Sequence, residues 1–463
     1  MNRQFKVTVI GGGPGGYVAA IRAALSGASV ALIEGENVGG TCLNWGCIPT
    51  KTLLASAEML HKVKRANEYG IHVEGVSFDY AKIEARKNSV VTKIRKSLEG
   101  LIASHKVCLI KGFGRCISPT EIKVGDEIIE SEKIIIATGS EPRNIAAFPF
   151  DGKKVHSSNS ILGLQTLPKS IAIIGGGVIG CEFASLYAEF GVAVHIIEML
   201  PHIASTEGLA VSEALKAAFQ KKGIKITLNA TVEGVDIEGD GVSVLLKEAD
   251  PISAEIALVS VGRKLNTGEI GLEKAGVFVD ERGVIPVNDK METNVSHIYA
   301  VGDITAKWML AHVASHQGVV AAQNATGTVS HMHYEAVPSV IFTHPETATV
   351  GYTLEKALEK GYKAIIGKFP FAALGKSQAS IETEGFVQII IDKDTHAILG
   401  AQVVGYEASV LIAQVTLAIQ NEITIDGLIQ TIHAHPTVAE SWLEAAMVVL
   451  DTPIHLPPLK KNA

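Results

Sequence analysis

The sequence lacks the features that mark several large classes of protein. No block of Lys or Arg is present and the formal net charge is -7, which excludes nucleic-acid binding, because that binding depends on clustered cations. The longest apolar stretches, such as 134–137 and 410–419, fall short of the roughly 18 residues that cross a bilayer, which excludes membrane insertion. Only a few residues precede the apolar run 7–10, which leaves no room for a signal peptide and predicts a cytoplasmic protein.

Cysteine is also scarce. Five cysteines in 463 residues do not form a structural disulfide framework in a cytoplasmic protein, so two cysteines placed close together indicate chemistry. The sequence is instead rich in hydrophobic residues, at 47%, and contains 45 glycines. This length and composition predict about three domains of a folded α/β enzyme with many tight turns.

The clearest internal similarity is between residues 7–34 and residues 171–198. Each segment begins with an apolar strand that leads into three glycines. A small-residue helix follows, expected at 17–26 and 181–190, and a second strand ends in a glutamate. This order predicts two equivalent βαβ units.

The rest of the chain is arranged around these two units. Residues 55–105 have helical spacing and residues 111–133 alternate like a small hairpin layer, and we interpret both as insertions in the first domain. Residues 256–261 and 298–303 are apolar strands that lead into glycine turns. After Pro338 the pattern changes to longer alternating strands and two helices, which predicts a separate C-terminal domain.

Each unit contains a G-x-G-x-x-G motif between its strand and its helix. The glycines are Gly11, Gly13 and Gly16 in the first unit and Gly175, Gly177 and Gly180 in the second. The first glycine of such a motif permits a tight turn, the second lets the backbone approach a pyrophosphate, and the third lets the helix pack closely. The alternative is that these glycines serve only as sheet turns.

A glutamate follows each motif at the same spacing. Glu34 and Glu198 each lie 18 residues beyond the third glycine, where a carboxylate hydrogen bonds to a ribose 2′-hydroxyl. No Arg or Lys occurs from residue 191 to residue 215 to receive the extra phosphate of NADP. The second unit is therefore predicted to bind NAD.

Cys42 and Cys47 are separated by five positions in a segment that also contains Gly46 and Pro49. In a regular helix this offset rises about 7.5 Å, beyond the roughly 7 Å limit for the Cα atoms of a disulfide. A bridge therefore requires a distorted turn, which Gly46 permits before a helix that Pro49 helps to start.

A metal pair or two inert buried thiols are the alternatives for Cys42 and Cys47. A tetrahedral metal site needs further ligands. Cys108, Cys116 and Cys181 are isolated in the sequence, and we interpret them as core residues.

The segment 433–440 contains His433, His435 and Glu440 near the C-terminus. A thiol is a poor nucleophile at neutral pH, so dithiol chemistry benefits from an imidazole base oriented by a carboxylate. From the residues alone, the His-x-His pattern equally describes a metal contact or a surface patch.

Together these motifs closely resemble those of the FAD-dependent pyridine nucleotide-disulfide oxidoreductases over essentially the whole chain. The resemblance implies that the first unit binds FAD and the second NAD, and that Cys42 and Cys47 form the redox disulfide beside the flavin. Cys42 is then the interchange thiol and Cys47 the charge-transfer thiolate. Lys51, paired with Glu182, is expected near the reactive flavin nitrogen.

The resemblance also implies the remaining contacts. His435 is the base and Glu440 orients it, across a homodimer interface, while the role of His433 stays undecided. The further FAD contacts are Gly40, Thr41, Gly114, Thr138, Gly139, Ser140, Asp303, Met309, Leu310 and Ala311, and the further NAD contacts are Val232, Gly262 and Arg263. Leu265 stands where the family usually has proline.

The implied fold is α/β, with two Rossmann-like dinucleotide-binding domains and a C-terminal α+β dimerisation domain. The expected FAD-binding domain covers residues 1–145 and resumes as a central domain at 271–337. The expected NAD-binding domain covers residues 146–270 and the interface domain 338–463.

Within the family, the residues are most similar to those of members that oxidise dihydrolipoamide with NAD⁺. The implied partners are lipoyl domains of acyltransferases or of glycine-cleavage carrier proteins, and the peripheral-subunit-binding segment of a multienzyme complex. One alternative is another NAD(P)H-dependent disulfide or mercuric reductase, although the C-terminal residues 456–463 lack the cysteine pair of mercuric reductases. The other alternative is a mainly structural FAD-binding subunit.

Overall fold

The computed structural model describes residues 3–457 of the chain. Helices and strands alternate in the first two thirds, and a sheet covered by helices follows. The helices are α1 (Pro14–Leu25), α2 (Gly40–Trp45), α3 (Cys47–Lys64), α4 (Tyr80–Ser104), α5 (Val178–Glu189), α6 (Leu209–Lys221), α7 (Ala311–Ala325), α8 (Leu354–Glu359), α9 (Gly375–Ala379), α10 (Ala408–Gln420), α11 (Ile425–Gln430) and α12 (Glu440–Val449).

The strands belong to three large sheets and two small ones. They are β1 (Arg3–Ile10), β2 (Val30–Glu34), β3 (Cys108–Lys111), β4 (Gly114–Cys116), β5 (Glu121–Val124), β6 (Glu127–Ile136), β7 (Ser140–Pro142), β8 (Val155–Ser157), β9 (Ser170–Ile174), β10 (Ala193–Ile197), β11 (Lys225–Thr227), β12 (Val232–Glu238), β13 (Gly241–Leu246), β14 (Ala249–Ala254), β15 (Ile256–Val259), β16 (Arg263–Leu265), β17 (Ile298–Ala300), β18 (Pro338–Ile341), β19 (Thr347–Gly351), β20 (Ala364–Pro370), β21 (Gly385–Asp392) and β22 (Ile398–Gly405).

The first sheet has the order β3-β2-β1-β6-β5-β4, and β17 also pairs with β6. Its β3, β2, β1, β6 and β17 run parallel, as expected for βαβ units. The helix α7 then packs tightly on α1, because a Cβ added to Gly318 would lie 2.3 Å from the carbonyl oxygen of Gly15. The segment that contains β17 and α7 therefore returns to the first sheet.

The second sheet is parallel throughout, in the order β11-β10-β9-β15-β8. The helix α5 connects β9 to β10 in the same way that α1 connects β1 to β2. The predicted repeat of two βαβ units is therefore confirmed. Both helices begin one turn earlier than expected, since they include the third glycine of each motif and Pro14 suits the first helical turn.

The C-terminal segment forms an antiparallel sheet in the order β18-β19-β22-β21-β20. The helices α10, α11 and α12 contribute to its core around Trp442, which is fully buried. The predicted α+β arrangement of this segment is confirmed.

One predicted boundary was wrong. The antiparallel hairpins predicted within residues 111–133 are present as β4, β5 and the first half of β6. They do not end at residue 133, because β6 is a single strand across residues 127–136. Its first half pairs antiparallel with β5 and its second half pairs parallel with β17. The antiparallel strands β4 and β5 thus extend the first sheet. None of the helices within residues 3–457 has the length and apolar character to cross a membrane.

Candidate active site

The two cysteines lie on either side of a break between α2 and α3. Gly46 separates the helices with φ of -148° and ψ of -105°, so the chain bends before the second helix begins. This bend brings the side chains of Cys42 and Cys47 together, and both are free cysteines. The predicted distorted turn at Gly46 is confirmed.

The two sulfurs differ in their affinity for a proton. Donation from Cys42 lowers the pKa of Cys47 to about 7, although burial opposes this shift, and Lys51 lowers the pKa further. The hydrogen bond and burial raise the pKa of Cys42. The contact between the two sulfurs therefore favours the thiolate at Cys47 over the thiolate at Cys42.

Lys51 lies one turn after Cys47 on α3 and forms an ion pair with Glu182 of α5. Its Nζ is 2.7 Å and 2.8 Å from the two carboxylate oxygens, which confirms the predicted pairing. Glu182 is 6% exposed, and its Oε1 also accepts the backbone N–H of Phe342 at 3.0 Å. The ion pair thus connects the cysteine helix to the second unit and to the C-terminal sheet.

The first and third glycines of the first motif leave no room for a side chain. Gly11 has φ of 101°, and a Cβ at Gly16 would lie 1.8 Å from the carbonyl oxygen of Gly11. Gly40 crosses this loop, since its Cβ would lie 2.7 Å from the Cα of Gly13. The loop before α1 and the start of α2 therefore meet at one place, with backbone N–H groups at a helix start as a pyrophosphate requires.

The second glycine motif repeats this geometry. Gly175 has φ of 103°, and a Cβ at Gly180 would lie 2.0 Å from the carbonyl oxygen of Gly175. A Cβ at Gly177 would meet no atom within 4 Å, so this glycine faces open space. That is the arrangement in which the middle glycine gives a ligand access to the backbone.

Glu34 and Glu198 occupy equivalent positions at the ends of their strands. Glu34 Oε2 accepts the N–H of Gly12 at 2.6 Å, and Glu198 Oε2 accepts the N–H of Gly176 at 2.6 Å. Burial raises the pKa of Glu34, although these backbone contacts oppose the shift. Each carboxylate therefore lies against its glycine loop, next to the place where an adenosine ribose would lie.

A polar cluster joins three segments that are distant in the sequence. Ser140 donates to Asp303, and Arg263 donates from Nε to Ser140 Oγ at 2.6 Å. Pairing of β16 with β7 brings Arg263 and Ser140 together. Thr138 precedes this cluster and donates to the Asn266 carbonyl at 2.6 Å.

The other predicted contacts are distributed around these loops. Gly114 packs against Ile10 and Ile33, which precede Gly11 and Glu34. Val232 packs in the cluster that contains Ile197, next to Glu198. The remaining positions are Thr41 in α2, Gly139 and Gly262 with left-handed backbone, Met309 and Leu310 before α7, and Ala311 at its start.

His435 and Glu440 form the predicted pair at the start of α12. His435 Nδ1 is 2.8 Å from Glu440 Oε1, and the Thr437 N–H donates to Glu440 Oε2 at 2.8 Å. Burial opposes ionisation of Glu440, but these two contacts outweigh it and lower its pKa. A carboxylate at a helix N-terminus is stabilised further by the helix dipole.

His433 does not join this pair. Its Nε2 contacts the Gln414 side chain at 2.8 Å and its Nδ1 contacts the Thr431 carbonyl at 2.9 Å. The His435 side chain is 78% exposed, and within residues 3–457 no hydrogen bond connects it to the cysteines. Among these residues no cluster of His, Cys, Asp and Glu is arranged to hold a metal ion.

Residues 5–318 match the family described as pyridine nucleotide-disulphide oxidoreductase, and residues 337–446 match the dimerisation domain of that family. The chain belongs to this family. It is 49% identical over 466 residues to dihydrolipoyl dehydrogenase of Chlamydia muridarum, with 100% of both chains covered. It is 41% identical over 460 residues to dihydrolipoyl dehydrogenase of Geobacillus stearothermophilus, with 98% of each chain covered.

Solved structures of similar proteins agree with this family. The structure of LpdA from Mycobacterium tuberculosis matches with a TM-score of 0.90 at 30% identity, over 96% of this chain and 99% of that chain. The HOCl-induced flavoprotein disulfide reductase RclA from Escherichia coli matches with a TM-score of 0.87 at 28% identity, over 96% of this chain and 100% of that chain.

The family uses FAD and NAD(H), and its dimerisation domain supports a homodimer. The residues of this chain fit both cofactors, because a Cβ at the second glycine of either motif would meet no atom closer than 3.9 Å, and a carboxylate lies beside each loop. The predicted FAD and NAD assignments are therefore consistent with the geometry of both loops.

Sequence reasoning missed several residues that hold the site together. Phe342 donates its backbone N–H to Glu182, and the Lys51 ammonium lies 4.5 Å from the centre of its ring. The Asn44 amide donates to the Val38 and Gly40 carbonyls at 3.1 Å and 3.0 Å. No local pattern marks Phe342, since its contacts arise only when the C-terminal sheet packs against α5.

Proposed function

We propose that this protein oxidises protein-bound dihydrolipoamide to lipoamide and reduces NAD⁺ to NADH. The observation that carries the proposal is that the break at Gly46 brings Cys42 and Cys47 together next to the Lys51–Glu182 ion pair. The relatives named dihydrolipoyl dehydrogenase support it, because their similarity covers the whole chain. We infer that Cys42, Cys47, His435, Glu440, Lys51 and Glu182 are the residues that act.

These residues account for each proton transfer and each sulfur–sulfur bond of the dithiol exchange. His435 Nε2 takes a proton from one substrate thiol, and the resulting thiolate attacks the Cys42 sulfur of the oxidised pair. The bond between the sulfurs breaks and Cys47 leaves as a thiolate. The second substrate thiol gives its proton to Cys42 and displaces the Cys42 sulfur, which closes the lipoamide disulfide.

Glu440 fixes the orientation of His435 by accepting from Nδ1, which leaves Nε2 to take the proton. Lys51 favours the Cys47 thiolate through its positive charge. Bound FAD supplies the two-electron exchange between the reduced cysteine pair and NAD⁺.

The cofactors are assigned to the two glycine loops. FAD is held by Gly11, Gly13, Gly16, Glu34, Gly40, Thr41, Lys51, Gly114, Thr138, Gly139, Ser140, Asp303, Met309, Leu310 and Ala311. NAD is held by Gly175, Gly177, Gly180, Glu198, Val232, Gly262 and Arg263. The corresponding domains are 1–145 with 271–337 for FAD, 146–270 for NAD, and 338–463 for the subunit interface.

The partners follow from the substrate. Lipoyl domains of acyltransferases or of glycine-cleavage carrier proteins deliver the dihydrolipoamide, and a peripheral-subunit-binding segment holds the homodimer in its complex. We place the reaction in the cytoplasm, where a chain with few cysteines keeps its thiols reduced.

The decisive experiment measures NADH formation by the purified protein with dihydrolipoamide, and NADH oxidation with lipoamide, glutathione disulfide and mercuric ion. Turnover of the lipoamide couple alone is expected. Cys42→Ser should abolish this turnover, whereas Cys108→Ser, at a partly exposed cysteine outside the pair, should retain it. Preferred turnover of glutathione disulfide or mercuric ion would refute the proposed substrate, and NADH binding without any turnover would indicate a structural subunit.

A further inference from the structure

A second imidazole–carboxylate pair joins α12 to the segment that follows it, outside the groups that exchange protons with substrate. Glu444 follows Glu440 by four residues, so the two carboxylates lie on one face of the helix, about 5–6 Å apart at their Cβ atoms. The chain turns back after α12, and His455 Nδ1 lies 2.7 Å from Glu444 Oε1. The His455 backbone N–H donates to Glu444 Oε2 at 3.1 Å.

Glu444 needs a compensating partner. It is 4% exposed, and burial of an ionised carboxylate is unfavourable unless it is paired and hydrogen bonded. Within residues 3–457, both hydrogen bonds to Glu444 come from His455. The His455 side chain is 68% exposed, so its imidazole remains in contact with the solvent.

Within residues 3–457, the charged groups on the elements that pack against α12 already have partners other than Glu440 and Glu444. The helix packs against β20, β21 and α11, whose charged residues are Lys368, Asp392 and Asp426. Lys368 lies over the Phe386 ring, Asp392 accepts from Thr395, and Asp426 contacts His396 at 2.7 Å. The described groups that act on Glu440 are therefore Thr437, His435 and His455.

We propose that Glu444 and His455 are positioning residues for the His435 base, and that their charges set its proton affinity through Glu440. The anionic Glu444 strengthens the negative potential at His435 and favours its protonated form. A protonated His455 opposes that effect. The positive charge of His455 is among the causes that lower the pKa of Glu440. This inference rests on the proposed function, in which His435 accepts the substrate proton.

Removing the two charges should shift the His435 pKa in opposite directions. A pair that only holds the C-terminal segment in place would not produce opposite shifts. His455→Gln keeps a neutral donor but removes the cation, so the His435 pKa should rise by about half a pH unit. Glu444→Gln removes the anion, so the His435 pKa should fall by about the same amount. The double variant should return close to the wild-type value.

The test uses the full-length holoenzyme with isotope-labelled histidines. Magnetic resonance titration gives the His435 pKa, with the signal assigned from His435→Gln, and the pH profile of kcat/KM for dihydrolipoamide is measured in parallel. His396→Gln, which removes a similar exposed pair partner, should leave the His435 pKa unchanged. If the Glu444 variant fails to fold, His455→Lys provides a permanent cation at an exposed position and should lower the His435 pKa relative to His455→Gln.

Opposite shifts in the two single variants support the inference. Shifts of the same sign, or none in either variant, would overturn it and leave the pair as an anchor for the tail. The titration of His435 does not depend on turnover. An absence of dihydrolipoamide oxidation would therefore refute the proposed function while the titration still decides the role of the pair.

Discussion

Contact between the Cys42 and Cys47 side chains favours the thiolate at Cys47 in the reduced protein. The Cys42 donation is the largest cause that lowers the pKa of Cys47 to about 7. Cys42→Ala removes this donor, and a lost hydrogen bond to a charged group should raise the pKa of Cys47 by about 1–2 pH units. Cys42→Ser keeps a donor and should leave it near the wild-type value.

The measurement is the pH dependence of iodoacetamide labelling at Cys47, read by mass spectrometry on the reduced protein. Because the thiolate reacts, labelling should increase through the pKa, and the increase should occur at higher pH in Cys42→Ala than in Cys42→Ser. Superimposable profiles in the two variants would mean that the hydrogen bond does not control the thiolate.

Glu198 should decide which nicotinamide dinucleotide is used. Its carboxylate lies against Gly176 and should accept ribose hydroxyls while repelling a 2′-phosphate. Glu198→Gln should narrow the ratio of kcat/KM for NAD⁺ over NADP⁺ by about tenfold or more. Glu213→Gln removes a nearby exposed carboxylate on α6 and should leave the ratio unchanged. Equal use of both cofactors by the wild type would contradict this role.

Individual site residues were predictable to different degrees. Lys51 and Glu182 were predicted as a pair only through the family resemblance, because 131 positions separate them in the sequence. Gly46 was predictable from physics alone, since two cysteines at that spacing cannot meet across a regular helix. Phe342 and the contact between Arg263 and Ser140 had no local signal, because packing between distant segments creates them.

The strand–loop–helix element appears twice, and the three glycines of its motif have different structural roles. The third glycine is fixed by sterics, since a Cβ at Gly180 would overlap the Gly175 carbonyl at 2.0 Å. The second faces open space at Gly177. Gly180→Ala should therefore destabilise the fold by at least about 1–3 kcal/mol, whereas Gly177→Ala should fold normally and weaken NADH binding.

Thermal unfolding and NADH titration of the two variants separate these roles. The conclusion about Gly177 would be wrong if its alanine variant bound NADH as tightly as the wild type. Periodicity and glycine spacing predicted both elements correctly, because they depend on short-range sterics. The continuous strand β6 was not predicted, since its two halves alternate differently and acquire different partners only in the assembled sheet.

The His435–Glu440 pair and the two cysteines belong to different parts of the molecule. His435 and Glu440 lie at the end of the chain on the dimerisation segment, and the His435 side chain is largely exposed. Large apolar side chains on the same segment are also exposed, with Ile432 at 97% and Leu417 at 63%. A second copy of the chain would cover such side chains, which is consistent with a dimer as the catalytic unit.

If His435 serves the partner subunit's cysteine pair, two differently disabled chains should complement each other. Cys42→Ser lacks the interchange thiol and His435→Gln lacks the base, so each should be nearly inactive alone. After random subunit exchange about half of the dimers are mixed, and each mixed dimer holds one complete site. Activity with dihydrolipoamide should therefore approach about a quarter of wild type, by counting sites in a two-fold dimer.

A second mixture, of the doubly substituted chain with the wild-type chain, also tests whether the site is shared between subunits. When a chain with both substitutions is exchanged with wild-type chains, a shared site predicts that mixed dimers are dead, because each site lacks either the thiol or the base. About a quarter of wild-type activity should then remain, whereas sites within one chain would retain about a half. Differently tagged subunits report the fraction of mixed dimers. Mixed dimers that form without complementation in the first mixture, together with half activity in the second, would place the base and the cysteines in the same subunit.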